Sequence, residues 1–181
     1  MPIVFLSPST QEYNLFYDGN GSEEYYMNLI ADAMVPYLEA SGITVARNTP
    51  EDTALTSAQK SNEAGAQLHL ALHSNAAPEE LAGQLRGTDV YYYTGSTQGQ
   101  RAADLIANNL SLISPTPQKV DIIPTTRLAE LRRTTAPSVL VEIAYHDNPD
   151  DANWIRGNIR DIARNLSASV ADFFAVPFRQ P

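Results

Sequence analysis

The 181-residue sequence predicts an α/β fold: a single three-layer domain over residues 1–181, with a mostly parallel, twisted sheet of about six strands flanked by helices. Three observations carry this. Short apolar runs alternate along the chain with longer segments whose apolar residues recur every three or four positions. The run Val139–Ala144 is nearly continuous in its hydrophobicity, which predicts a central parallel strand buried on both faces. The connections are short, and no internal repeat, low-complexity segment or inter-domain linker interrupts them.

Ile3–Leu6 reads as a short buried strand, followed by a turn-rich loop of Ser, Asn, Gly and Pro over residues 7–21, long enough to be functional. Ser22 then precedes an amphipathic segment in which Tyr26, Ile30, Met34, Tyr37 and Leu38 share one face and Gly42 supplies a stop, predicting a helix over 23–40. A strand over 43–47, a helix over 55–64 ended by Gly65, and a strand over 67–73 follow. Thr88–Thr94 is rich in β-formers, and Ala102, Leu105, Ile106, Asn109 and Leu110 mark one face of a helix over 97–112. Beyond Pro115 and Pro117 come a short strand over 119–123, a short helix over 127–133, the strand 139–144, and one long helix over 150–174 with Trp154, Ile155, Ile159, Ile162, Leu166, Val170 and Phe173 on its buried stripe.

A composition of 43% hydrophobic and 18% charged residues suits one full core. The formal net charge of −9 argues against a nucleic-acid partner, which requires a positive footprint. Without cysteine, thiolate nucleophiles and Cys-type zinc sites are excluded, so any metal must be held by His, carboxylate or amide oxygen. The N-terminus shows no basic n-region with a long apolar run behind it, and no segment approaches the roughly 18 apolar residues of a membrane span. The expectation is a monomer without a membrane span or a visible signal peptide. Nine tyrosines, clustered at Tyr25-Tyr26 and Tyr91-Tyr92-Tyr93, fit either a sugar-binding face or ordinary packing.

Two strands end on reactive side chains, Gln67-Leu-His-Leu-Ala-Leu-His73 and Ser138-Val-Leu-Val-Glu142. Strand ends in an α/β sheet face a crevice, where a histidine and a glutamate can hold a metal and move a proton. His69 and His73 point to the same face but lie about 13 Å apart at the usual strand rise, so they cannot hold one ion, and His69 is read as structural. Ser7 and Ser9 are not read as nucleophiles, because no Gly-x-Ser-x-Gly elbow occurs.

The segments Leu72-His73-Ser74-Asn75-Ala76 and Leu140-Val-Glu142 through Asp147-Asn148-Pro149, supported by Arg86-Gly-Thr-Asp-Val-Tyr-Tyr92 and Leu131-Arg132-Arg133-Thr134…Pro137, occur in an order that resembles the zinc-dependent N-acetylmuramoyl-L-alanine amidases of amidase type 3. The resemblance spans Ile3 to about Phe174. It implies a peptidoglycan hydrolase cutting the amide between N-acetylmuramic acid and L-alanine, with Zn2+ as cofactor, peptidoglycan as partner and the cell wall as place of action. Carried over, Glu23 and His73 are metal ligands and Glu142 is the general base and acid. Glu24 competes with Glu23, but only Glu23 brings Ile30, Met34, Leu38 and Gly42 into the family's apolar register. His146, Asn75 and Arg132 become candidate substrate contacts; His146 also reads as a group behind the ligands or a capped turn residue.

The chain departs from the family at the first ligand. Where the family has a histidine, the loop reads Leu6-Ser-Pro-Ser-Thr-Gln11, so Thr10 or Gln11 stands in its place. Catalytic zinc takes three protein donors and keeps a position for water. Gln11 is expected to ligate through its carbonyl oxygen, being long enough to reach in from the loop and oriented by its neighbours Ser9, Thr10 and Asn14; the alternatives are a donor from His146 or His69, or a degraded site in a non-catalytic cell-wall-binding protein that retains the fold. Glu142, set among apolar neighbours, is expected to have a raised pKa.

Overall fold

Ile3–Pro8 (β1), Thr44–Arg47 (β2), Leu68–Asn75 (β3), Thr88–Tyr93 (β4), Val120–Thr125 (β5) and Ser138–Tyr145 (β6) form one sheet in the computed structural model of residues 1–181, in the spatial order β2-β1-β3-β6-β4-β5. All neighbours run parallel except β4 and β6, which are antiparallel. The mostly parallel sheet is therefore as expected, while the reading of Val139–Ala144 as a purely parallel strand is corrected. An apolar run reports burial on both faces, not direction, and β4 buries β6 equally well running the other way. Strands β1 and β3 also run two residues beyond their apolar stretches, through Pro8 and Asn75.

Helix α1 (Glu23–Ala40) has the predicted bounds, and local chemistry explains both ends. The Ser22 hydroxyl accepts the Tyr25 N–H at 3.1 Å, and Glu23 and Glu24 place negative charge at the positive end of the helix dipole. At the other end Gly42 takes φ +77°, Gly42 N–H bonds Glu39 O and Ile43 N–H bonds Leu38 O, a Schellman arrangement that only a residue without Cβ adopts cheaply. The remaining helices are α2 (Ala54–Glu63), α3 (Thr97–Ser111), α4 (Ala129–Arg133), α5 (Pro149–Gly157) and α6 (Ile159–Phe173). The single C-terminal helix expected over 150–174 is thus two helices, broken at Asn158, whose φ of −129° leaves the helical region. Gly157 and Asn158 are poor helix formers, and the Asn158 amide caps the Trp154 carbonyl at 2.8 Å.

The two faces of the sheet differ. Val4, Leu6, Leu70, Leu72, Val141 and Ile143 point toward α1, α3 and α6 and join the main apolar core. The opposite face, covered by α2 and α4, has a small apolar cluster of Ala71, Leu131 and Leu140, surrounded by buried polar groups such as Ser7, Ser57 and His69. Polar side chains can therefore reach a crevice only on the second face. No helix is long and apolar enough to cross a membrane.

Candidate active site

Parallel register pairs His73 on β3 with Glu142 on β6, and antiparallel register pairs Glu142 with Asp89 on β4. Register partners project from the same face, so imidazole and carboxylates form a row across the sheet. Helix α1 brings its first residue, Glu23, to one end of this row. Its Oε1 lies 2.8 Å from His73 Nδ1 and accepts the Ser74 N–H at 3.3 Å. Glu24 makes no such contact, being only partly buried beside a Glu23 that is 2% exposed.

The turn-rich loop supplies the third side. Gln11 Oε1 accepts the Asn14 Nδ2 amide at 2.7 Å, and the same Nδ2 donates to Glu23 Oε2 at 2.8 Å. Ser9, Thr10, Gln11, Tyr13, His73 and Glu130 line a crevice of about 360 Å³. Gln11, Glu23 and His73 are thus brought together, with Glu142 beside His73 on the sheet.

The electrostatics follow from this packing. Burial disfavours charge on His73, but the hydrogen bond of Glu23 and the carboxylates of Glu142 and Glu23 outweigh it and raise its pKa to about 9. Burial likewise pushes Glu23 up, yet the His73 bond and charge prevail and hold it below the usual carboxylate value. Glu142 has no hydrogen bond to offset its burial. Burial raises it to about 7, opposed by His73 and assisted by Glu23 and Asp89, and its Oε2 is buried without a hydrogen-bond partner. Burial and then Asp121 raise Asp89, whose Oδ2 accepts the Asn75 amide at 3.1 Å.

The other expected residues fall in different places. His69 is fully buried, 2.6 Å from Glu130 Oε2 through Nε2 and stacked on Phe5, which matches its structural reading. His146 is 4% exposed, with Nδ1 2.9 Å from Ser74 Oγ and its ring stacked on Phe16. Of its three readings, this burial fits best the group behind the ligands, bracing the strand end that carries His73 through Ser74. Neither histidine joins Glu23 and His73, and no group of three His, Cys, Asp or Glu side chains with metal-holding geometry is present. Asn75 stands at the end of β3 beside Asp89, and Arg132 is exposed on α4. Tyr92 belongs to the core and Tyr91 and Tyr93 pack under α4, so that cluster is packing; Tyr25 is exposed.

Two residues of the site, Asp89 and Glu130, escaped sequence reasoning, because each acts through a partner distant in the chain, whereas Asn14 is among the neighbours expected to orient Gln11. A signal for Asn14 exists in the alternation of the loop, where Asn14 and Phe16 turn inward while Tyr13, Leu15 and Tyr17 are exposed.

Comparison with known proteins bears on the fold and the family. The Amidase_3 family, described as N-acetylmuramoyl-L-alanine amidase, matches residues 13–172, leaving Thr10 and Gln11 outside the matched segment. An uncharacterized protein, CPE1502, of Clostridium perfringens is 27% identical over 141 residues, covering 75% of this chain and 41% of that protein. The N-acetylmuramoyl-L-alanine amidase LytC of Bacillus subtilis is 28% identical over 159 residues, covering 84% of this chain and 31% of its own length. The chain therefore spans less than half the length of the curated relatives it matches. The catalytic domain of CwlV, an N-acetylmuramoyl-L-alanine amidase from Bacillus (Paenibacillus) polymyxa, superimposes with a TM-score of 0.84 over 98% of this chain and 100% of that domain at 15% identity, which shows a shared fold. With a family match running from the exposed loop through α6, the chain belongs to the N-acetylmuramoyl-L-alanine amidase family.

Proposed function

We propose that this protein is a zinc-dependent hydrolase of the amide joining N-acetylmuramic acid to the L-alanine of the peptidoglycan stem peptide. The observation that supports it best is the row of His73 and Glu142 on adjacent strands, closed by Glu23 from α1.

The donor set fits zinc. Glu23 Oε1 and His73 Nδ1 share a hydrogen bond of 2.8 Å, and Asn14 links the Gln11 oxygen to the same carboxylate, so an anionic oxygen, an imidazole and an amide oxygen of the types zinc accepts are tied into one network. Glu23, His73 and Gln11 are the residues that would hold it, one anionic and two neutral donors once His73 gives up the proton it shares with Glu23. Zinc bound there supplies a water of lowered pKa and polarises the scissile carbonyl. Glu142 Oε2 has no partner in the protein and its carboxyl titrates near neutrality, so it can take a proton from the attacking water and return it to the departing amine. Glu23 holds its charge and presses His73 to orient Nδ1 toward the site.

The test joins elemental analysis of protein purified without added metal to digestion of purified peptidoglycan. Cleavage of this bond creates new L-alanine amino termini and no new reducing sugars. Zinc near one equivalent with that product pattern is the expected result. Absence of both zinc and product would favour a cell-wall-binding protein that keeps the amidase fold, a reading that the neutral Gln11 in place of histidine supports.

A further inference from the structure

We propose that Asn14 is a positioning residue that makes a glutamine workable as a metal donor, by fixing Gln11 Oε1 and Glu23 Oε2 with a single amide group; this rests on the reading that Gln11, Glu23 and His73 hold zinc. The geometry is specific. Asn14 Nδ2 donates to Gln11 Oε1 at 2.7 Å and to Glu23 Oε2 at 2.8 Å, using both of its protons. Turning the amide over would set Oδ1 against two acceptors, so the network itself assigns the orientation.

The Asn14 backbone is fixed as well. Its N–H bonds Gln11 O at 3.2 Å, closing the turn that begins at Gln11, and its carbonyl accepts the Glu23 N–H at 2.8 Å, one of the free amides at the start of α1. One residue thereby ties the loop to the helix by backbone and joins the two oxygens by side chain.

An imidazole is rigid beyond χ2, whereas Gln carries a further rotatable bond and a weaker, neutral oxygen. Ligation by an unrestrained Gln costs rotamer entropy that the weaker donor does not recover. With Oε1 already held by Asn14 at 2.7 Å, and the Tyr13 hydroxyl reaching it only at 3.4 Å, the oxygen is fixed in place before any metal arrives and the entropy is lost on folding instead of on binding. On Glu23 the division is equally definite: Oε2 is taken by Asn14, leaving Oε1, which faces His73 Nδ1. Hydrogen-bonded carboxylate ligands of this kind are the ordinary support behind a metal site.

Isothermal titration of the metal-stripped full chain with zinc tests the proposal, beside thermal melts of the metal-free proteins. Asn14→Ala and Asn14→Ser are each expected to weaken zinc binding by about 10- to 100-fold, the usual effect of losing a group behind a ligand, with metal-free melting unchanged within a few degrees. The loss should shrink to about twofold or less when Asn14→Ala is made in a Gln11→Ala background, because a positioning residue acts through the donor it holds. Single variants that bind zinc like the wild type, or a loss of equal size with and without Gln11, would overturn the proposal. A wild-type chain that takes up no zinc in the same titration would overturn the metal reading of the site and this inference with it; a wild type that binds beside unaffected Asn14 variants would overturn the inference alone.

Discussion

His73 and Glu142 are register partners on neighbouring parallel strands, so an imidazole that gains a proton readily and a carboxyl that releases one reluctantly leave the sheet side by side. Both are carried by strands, not loops, and their separation is set by the backbone ladder. Sites on regular elements hold their geometry better than sites on loops. Of the proposed donors Gln11 alone comes from a loop, and its oxygen is the one that the Asn14 amide holds.

Glu142→Gln should keep bound zinc and lose at least about a hundredfold in turnover on peptidoglycan, the scale of a lost general base. The same variant should melt higher at pH 8. The folded Glu142 releases its proton near pH 7 against 4.5 for the ordinary group, so between those values the unfolded chain ionises first and stability falls as pH rises. The deficit reaches at most about 3 kcal/mol above pH 7, and an uncharged Gln removes much of it. Melts at pH 5 and pH 8 check this; a gain at both, or at neither, would contradict the buried charge.

Activity should climb as pH rises from 6 to 8, because Glu142 must be ionised to accept a proton and its pKa is about 7. Asp89→Asn removes one of the carboxylates that push Glu142 up and should move this acid limb to lower pH. A pH–rate profile of both proteins measures it, and an unmoved limb would detach Asp89 from Glu142.

Gln11→Ala should reduce zinc affinity by about tenfold or more while the metal-free melt stays put, and Gln11→His should raise affinity above wild type, since imidazole is the better donor. Zinc stoichiometry after dialysis against a mild chelator distinguishes the three proteins.

Glu130→Ala should cost about 1–3 kcal/mol in urea unfolding, because His69 is fully buried, its Nδ1 already has no partner, and Glu130 is the sole bond to Nε2. The double change His69→Phe with Glu130→Leu should recover most of that loss: the new ring stacks on Phe5 and both polar groups go together. A double variant as unstable as the single one would show that the pair does more than satisfy itself.

The periodicity of 23–40 was enough to place α1 residue for residue, because its cap, its apolar face and its glycine stop all lie within the helix and its flanks. The convergence of Glu23, His73 and Glu142 was also legible, since strand ends and a helix start must meet at the edge of an α/β sheet. Strand direction was not, because the Val139–Ala144 run looks the same read against a parallel or an antiparallel neighbour. The break at Asn158 was hidden by a buried stripe that continues in phase from Trp154 to Phe173, although Gly157-Asn158 carries the signal. His146 looked like a crevice residue by position and is buried, because Phe16 folds back from the loop to cover it. Glu130 depends on a pair separated by 61 residues, which no local pattern encodes, whereas Asn14 lies three residues from Gln11 and its role beside that residue was legible.

The reversed β4 has a consequence for how this molecule can change. Because β4 runs against β6, the segment that enters it, residues 76–87, lies at the catalytic rim, whereas α3 departs from the far end of the sheet. That segment is anchored at Gly83, whose N–H bonds Asp147 and whose carbonyl accepts the Asn148 amide, and at Arg86 and Gly87, which bond Asp150 and Asp151. Lengthening or recolouring it ahead of Gly83 alters the rim beside His73 and Glu142 while leaving the apolar layer under α3 untouched, so that edge of the crevice can vary at little cost to folding.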